Sequence, residues 1–423
     1  MTIFDERESD IRAYCRVYPT VFDTAKNARQ TDENGKQYID FFAGAGVLNF
    51  GHNNEKMKAA MIAYLQRDGV LHSLDLHTTA KREFLENFVS TILKPRNMPH
   101  KLQFMGPTGT NAVEAALKLA RRVTGRSNIV AFSKGFHGMT LGSLACTANE
   151  YFRGAAGVEL QNVVHHPFGC ETKCPGCGMN CGIDSINNLR AQYQDGSSGC
   201  TKPAAFLVET IQAEGGVNVA SEAWLKELQT LAKEVGALLI IDEIQVGCGR
   251  TGSYFSFDDT DLDPDIVCLA KGVGGMGTPM AFNLVKPEHD KHWSPGEHTG
   301  TFRGQGLSFV AGNEALSYFK DNNLMMEVKE KSDIIAKALA PLPKKFDAVE
   351  VRGKGMIFGL DIGDGEKVKA IVNSCFEAGL IVSACGSGGR VIKIIPPLTI
   401  PDDDLKEGLT TLVEKTQAVL EAS

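Results

Sequence analysis

The sequence contains no apolar run approaching the roughly 20 residues a helix needs to cross a bilayer, so a membrane is not an expected partner. Basic clusters are also missing. Lys and Arg total 44 against 51 Asp and Glu, a net charge of −7, and no stripe of cations could neutralise a row of phosphates, so nucleic acid is not an expected partner either. The opening residues, MTIFDERESDIRAY, are charged from the fifth position and lack the basic and apolar stretches of a secretory signal, which points to the cytoplasm. A reducing compartment disfavours disulfides. The 11 cysteines are therefore read as free thiols, several of them in apolar strand-like runs such as Cys146 in LACTA and Cys268 in DIVCLAK. No internal repeat or low-complexity stretch interrupts the chain.

With 423 residues, 43% hydrophobic and 22% charged, the composition is that of a globular protein able to bury one large core and a smaller one. Short, β-branched apolar runs read as strands: NIVAF (128–132), AAFLVE (204–209), ALLIID (237–242), DIVCLA (265–270) and AFNLVK (281–286). Helical patterns separate them, such as NAVEAALKLARRVTG and SEAWLKELQTLAKEVG, the second bounded by Ser221 as N-cap and Gly236 as stop. Buried strands alternating with helices predict an α/β fold with a mostly parallel central sheet covered on both faces. After about Gly312 a long helix is followed by MIFGLDI, KVKAIVNSCFEAGL and VIKIIPPLTI, a pattern that predicts a smaller α+β domain. The expected organisation is an N-terminal segment (1–55) packing with the small domain, a large domain (56–312) and a small C-terminal domain (313–423).

The strand ALLIID ends in Asp242, and Lys271 follows DIVCLA, so both charges sit at carboxyl ends of neighbouring buried strands, where open α/β sheets bind ligands. A lysine desolvated there loses proton affinity and can form a Schiff base with an aldehyde, while a buried carboxylate can keep a pyridine nitrogen protonated. That pair suggests pyridoxal phosphate. Read alone, Asp242 is a helix cap and Lys271 a surface residue at a turn; other segments change the balance. GPTGTNAVEAALKLAR places Thr108, Gly109 and Thr110 at a helix start that suits a phosphate. FSKGFHGMTLGS offers Phe136 and His137 just after a strand, VETIQAEGG offers Glu209, Gln212 and Glu214, and GEHTGTFRGQ offers Thr301.

The block LLIIDEIQVGCGRTG followed by PDIVCLAKGVGG resembles the signature of the class III (ω-) aminotransferases of PLP fold type I, and the resemblance spans nearly the whole chain. It implies that Lys271 attaches the cofactor and shuttles a proton, Asp242 pairs with the pyridinium nitrogen, Gln245 bonds the ring's phenolic oxygen and Phe136 stacks on the ring beside His137. It further implies that Gly109 and Thr110 hold the phosphate, joined by Thr301 from the other subunit of a homodimer or dimer of dimers, with Glu209 behind Asp242. RAYCRVYPTVFDTAKNA, YIDFFAGAGVLNFGHNN, GGVNVASEAWL and KIIPPLTI are most similar to the diaminobutyrate–2-oxoglutarate aminotransferases of ectoine biosynthesis. That implies transfer of the terminal amino group of L-2,4-diaminobutyrate to 2-oxoglutarate. The alternative is another fold-type-I enzyme, an ω-amine aminotransferase of other specificity or an aminomutase.

In many ω-aminotransferases a glutamate and an arginine adapt one pocket to an amine and then a diacid. Here Glu214 takes the glutamate's place and Lys393 stands where the arginine is usual, keeping the charge and losing the bidentate fork. The small residues Ala43 to Gly46 replace an aromatic that ornithine aminotransferases use, which makes ornithine the less expected donor. The resemblance fails inside CETKCPGCGMNC (170–181), where Cys170, Cys174, Cys177 and Cys181 are spaced to wrap a tetrahedral ion, with structural zinc the first candidate and a solvent-facing turn of free thiols the alternative.

Overall fold

The computed structural model describes residues 2–169 and 182–422. Its central sheet has seven strands: β1 (Lys101–Phe104), β2 (Ile129–Phe132), β3 (Val163–His166), β4 (Ala205–Val208), β5 (Leu238–Asp242), β6 (Ile266–Leu269) and β7 (Phe282–Val285). Their spatial order is β1-β7-β6-β5-β4-β2-β3. Strands β6, β5, β4, β2 and β3 pair in parallel, and β7 pairs antiparallel with both β6 and β1. The run AFNLVK thus forms a strand with a direction its composition does not encode. The cause is the connection: residues 270–281 make one helical turn at Lys271–Gly274 and no crossover helix, so the chain cannot return to the amino end of the sheet.

Every residue of β2, β4, β5, β6 and β7 is buried, as strands covered on both faces require. One face is covered by α1 (Gly109–Thr124), which buries Ala112, Val113, Ala115, Ala116, Leu117, Leu119 and Ala120. Thr108 caps its start and Gly125, at φ 68°, ends it. The other face is covered by α2 (Glu222–Val235), where the Ser221 hydroxyl accepts the Trp224 N–H and Gly236, at φ 65°, stops the helix. Both expected punctuation marks of that helix are present.

A second, four-stranded antiparallel sheet contains Glu350–Lys354, Ile357–Asp361, Val391–Ile394 and Ser383–Cys385, with helices Asn323–Leu339, Gly365–Glu377 and Asp402–Glu421 beside it. The N-terminal strands Phe22–Lys26, Arg29–Asp32 and Gln37–Asp40 extend towards this half of the molecule: Gln37–Asp40 pairs in parallel with Leu380–Ile381, and Tyr38, Ile39 and Phe41 share one core with Leu360, Val368 and Ile392. Among the described residues no helix is long and apolar enough to cross a membrane.

Candidate active site

The parallel strands end on one edge of the sheet, and the reactive side chains project there. Asp242 is the last residue of β5, Glu209 follows β4, Lys271 lies just past β6, and Phe136 and His137 follow β2. Together with Gly109, Thr110, Glu214 and Gln245 they line a cavity of about 270 Å³. The cavity therefore lies where the sheet's topology favours ligand binding.

Lys271 holds a left-handed backbone conformation, φ 52°, which costs a non-glycine residue roughly 1–2 kcal/mol and is tolerated where function demands it. Burial lowers the proton affinity of its amine; Lys393 lowers it further, while Glu214 and Asp242 pull the other way. The net shift is downward, towards a neutral amine. Asp242 is 4% exposed and held at both oxygens: Oδ2 lies 2.8 Å from His137 Nδ1, and Oδ1 accepts the Ile244 N–H at 3.0 Å, which leaves acceptor capacity on each oxygen. Burial disfavours a charged His137, but its bond to Asp242 outweighs that and raises its pKa. The His137 N–H donates to Thr147 Oγ1 at 3.0 Å. Glu209 accepts the Phe136 N–H at 3.0 Å, and burial lifts its carboxyl to about 7, with Asp242 adding and His137 opposing.

A second cluster closes the cavity on the side of the smaller sheet. The Lys393 ammonium donates to Glu214 Oε1, and Gln245 Nε2 donates to the same oxygen at 3.1 Å and to the Ala45 carbonyl at 2.7 Å. Burial pushes the Glu214 carboxyl up, yet Lys393 and then Lys271 outweigh it and hold it down at about 2. Lys393 is 1% exposed, so this is a largely desolvated ion pair. The Ala45 carbonyl is presented by a left-handed turn in which Ala43, Gly44, Ala45 and Gly46 all have positive φ. Asp40 pins that turn by accepting the Phe42 and Ala43 N–H groups, both at 2.8 Å.

These residues fit a flat, phosphorylated pyridine aldehyde. Gln245 Oε1 is buried without a partner among the described residues, a polar atom aimed at a site that can satisfy it. Gly138 lines the cavity, and a Cβ there would come within 2.5 Å of Thr110 Oγ1, so the chain keeps this space free of side-chain atoms. The amine, the paired carboxylate and the helix start at Gly109 match the aldehyde, the ring nitrogen and the phosphate in turn.

Of the expected site residues, Thr301 stands apart: it is exposed and does not line the cavity of its own chain. Arg303, two residues on, pairs with Asp75. Cys170, Cys174, Cys177 and Cys181 lie outside the described residues, among which no cluster of His, Cys, Asp or Glu could hold a metal ion. Sequence reasoning missed Gly138, Met139, Ile244 and Val246, which also line the cavity. The signal for Gly138 was the glycine directly after Phe136 and His137; the apolar three carried none.

The profile of the family described as aminotransferase class-III matches residues 13–415. The chain is 47% identical over 423 residues to the diaminobutyrate–2-oxoglutarate transaminase of Halalkalibacterium halodurans, covering 100% of this chain and 97% of that one. Its identity to the enzyme of the same name from Wolinella succinogenes is 48%, covering 99% and 97%. The ornithine aminotransferase of Toxoplasma gondii superposes with a TM-score of 0.85 at 25% identity, covering 99% of this chain and 94% of that one. With a family match over residues 13–415 and relatives covered along nearly their whole length, the chain belongs to the class III aminotransferases.

Proposed function

We propose that this enzyme uses pyridoxal phosphate to move the terminal amino group of L-2,4-diaminobutyrate to 2-oxoglutarate, giving aspartate 4-semialdehyde and glutamate, and catalyses the reverse reaction. The substrates are those in the names of its full-length relatives. The observation that carries the reading to this site is Glu214, which lines the cavity that holds Lys271 and is paired there with the buried Lys393. A cation neutralised by a neighbouring carboxylate suits a pocket that must first accept an amine and then a dicarboxylate.

When bound, pyridoxal phosphate supplies the aldehyde that accepts the amino group and the protonated ring that stores the electron pair released at carbon. Lys271, its proton affinity lowered chiefly by burial, would be the base placed to move a proton from the carbon bearing the transferred nitrogen. Asp242 would keep a proton at the ring nitrogen, and its contact with His137 fixes the orientation of its carboxylate. Gly109 and Thr110, which line the cavity at a helix start, would hold the phosphate, and Thr301 would reach the partner's site in a homodimer. Phe302, 62% exposed beside it, and Leu74 and Leu76, 42% and 65% exposed on a segment joined to it by the Ser73 N–H to Gly304 carbonyl hydrogen bond, are exposed apolar side chains suited to that contact.

A labelling experiment tests the reaction. L-2,4-Diaminobutyrate carrying 15N only at its terminal nitrogen, incubated with 2-oxoglutarate, is expected to give labelled glutamate. Unlabelled glutamate, or label retained in an isomerised diamine, contradicts the proposal.

A further inference from the structure

Behind the phosphate end of the cavity lies a small polar network that the reaction itself does not use. Glu114, half-buried on the second turn of α1, collects three donors on a single oxygen. Oε1 accepts the Thr140 hydroxyl at 2.6 Å, the Gly142 N–H at 2.9 Å and the Ser143 N–H at 3.1 Å. Thr140 and Ser143 in turn contact Thr110 Oγ1 at 2.7 and 2.5 Å. The fit is close: a Cβ at Gly142 would come within 2.2 Å of Glu114 Oε2, and one at Gly138 within 2.7 Å of Ser143 Oγ.

We propose that Glu114 is a positioning residue for the cofactor phosphate, acting through the Thr110, Thr140 and Ser143 hydroxyls to hold the first turn of α1 against the 138–143 segment. The inference rests on pyridoxal phosphate being the cofactor. Three donors converging on one oxygen are satisfied only by an acceptor, so Glu114 serves as a fixed anchor for the cluster. Direct charge would act the other way, because a carboxylate repels a phosphate. Positioning and repulsion thus predict opposite signs when Glu114 is removed. The ring end of the cavity has anchors of its own, since Phe136 is tied to Glu209 and His137 to Thr147 and Asp242. Loss of Glu114 therefore weakens the hold on the phosphate and spares the hold on the ring.

The test compares binding of pyridoxal phosphate with binding of unphosphorylated pyridoxal, by absorbance titration of protein stripped of cofactor, for the wild type, Glu114→Ala and Glu114→Gln. Circular dichroism checks that each variant is folded. Glu114→Ala is expected to lose tenfold or more in affinity for pyridoxal phosphate and to change less than twofold for pyridoxal. Glu114→Gln keeps an acceptor oxygen and is expected to stay within about threefold of wild type for both. Glu114→Ala that binds pyridoxal phosphate as well as or better than wild type overturns the inference. Equal loss for both ligands, a misfolded Glu114→Ala, or a Glu114→Gln that falls as far as Glu114→Ala overturns it too. If wild-type protein binds pyridoxal phosphate no better than pyridoxal, the cofactor reading falls with it.

Discussion

Replacing Lys393 by Met keeps the length and apolar stem of the side chain and removes only its ammonium. Because Lys393 is 1% exposed and Glu214 25%, the variant strands a mostly buried carboxylate with Gln245 as its remaining hydrogen-bond donor among the described residues. Breaking one side of a buried pair costs about 3–5 kcal/mol, and the partial exposure of Glu214 places the expected loss near ~2–3 kcal/mol in urea unfolding at pH 7. A carboxyl depressed to about 2 contributes stability that is complete above its ordinary pKa near 4.5 and lost as pH falls towards 2. In Lys393→Met the main opponent of burial is gone while Lys271 and Gln245 remain, so that acid-side loss is expected to shrink. Adding Glu214→Gln removes the stranded charge and is expected to recover most of the stability. For catalysis, loss of one charge-assisted contact of ~2 kcal/mol lowers kcat/KM for 2-oxoglutarate roughly 30-fold. The amine half-reaction, measured separately by stopped-flow absorbance, changes less. An unchanged 2-oxoglutarate step, or a double variant no more stable than Lys393→Met, refutes the role given to this pair.

Asp242→Asn preserves shape but cannot hold a proton at the ring nitrogen, and kcat is expected to fall by about 10³-fold or more while the protein still binds cofactor; a fall below tenfold contradicts the assignment. Gly138→Ala places a methyl group 2.5 Å from Thr110 Oγ1 at a φ of 126°, so equilibrium binding of pyridoxal phosphate should weaken at least tenfold, and unchanged affinity would mean that the phosphate lies elsewhere. Glu243 is buried, receives the Ser256 N–H at 2.8 Å and is lifted by burial to about 8. Its pKa is raised on folding, so its contribution is present at low pH and is lost as pH rises from its ordinary 4.5 to about 8. Wild type should therefore lose roughly 5 kcal/mol relative to Glu243→Gln across that window in chemical unfolding, and parallel pH curves would contradict it.

The buried strands were legible because continuous apolar runs bounded by turns have few other uses, and all five expected runs form strands within a residue or two of their expected ends. Strands β1 and β3 were not, since KLQF and VVHH are short and half polar, and both lie at the edges of the sheet where one side needs no burial. The direction of β7 depends on a connection whose shape is set by the Lys271 turn, which local pattern does not reveal. In the site, Lys271 and Asp242 stood out as charges ending apolar strands. The contacts that prepare them did not, because they join distant positions: His137 meets Asp242 across 105 residues and Lys393 meets Glu214 across 179. The left-handed turn at Ala43–Gly46 was visible only as small residues, while its role in holding Gln245 follows from the backbone geometry.

The central claim is that one Lys271-centred cavity exchanges amino groups between a terminal amine and a keto diacid in two separable halves. Purified enzyme loaded with pyridoxal phosphate, mixed with L-2,4-diaminobutyrate alone, should lose the cofactor's aldehyde-form absorbance in proportion to active sites, and 2-oxoglutarate should restore it with one glutamate formed per site. A spectrum unmoved by diaminobutyrate but bleached by other ω-amines, or bleaching that 2-oxoglutarate cannot reverse, would contradict the account.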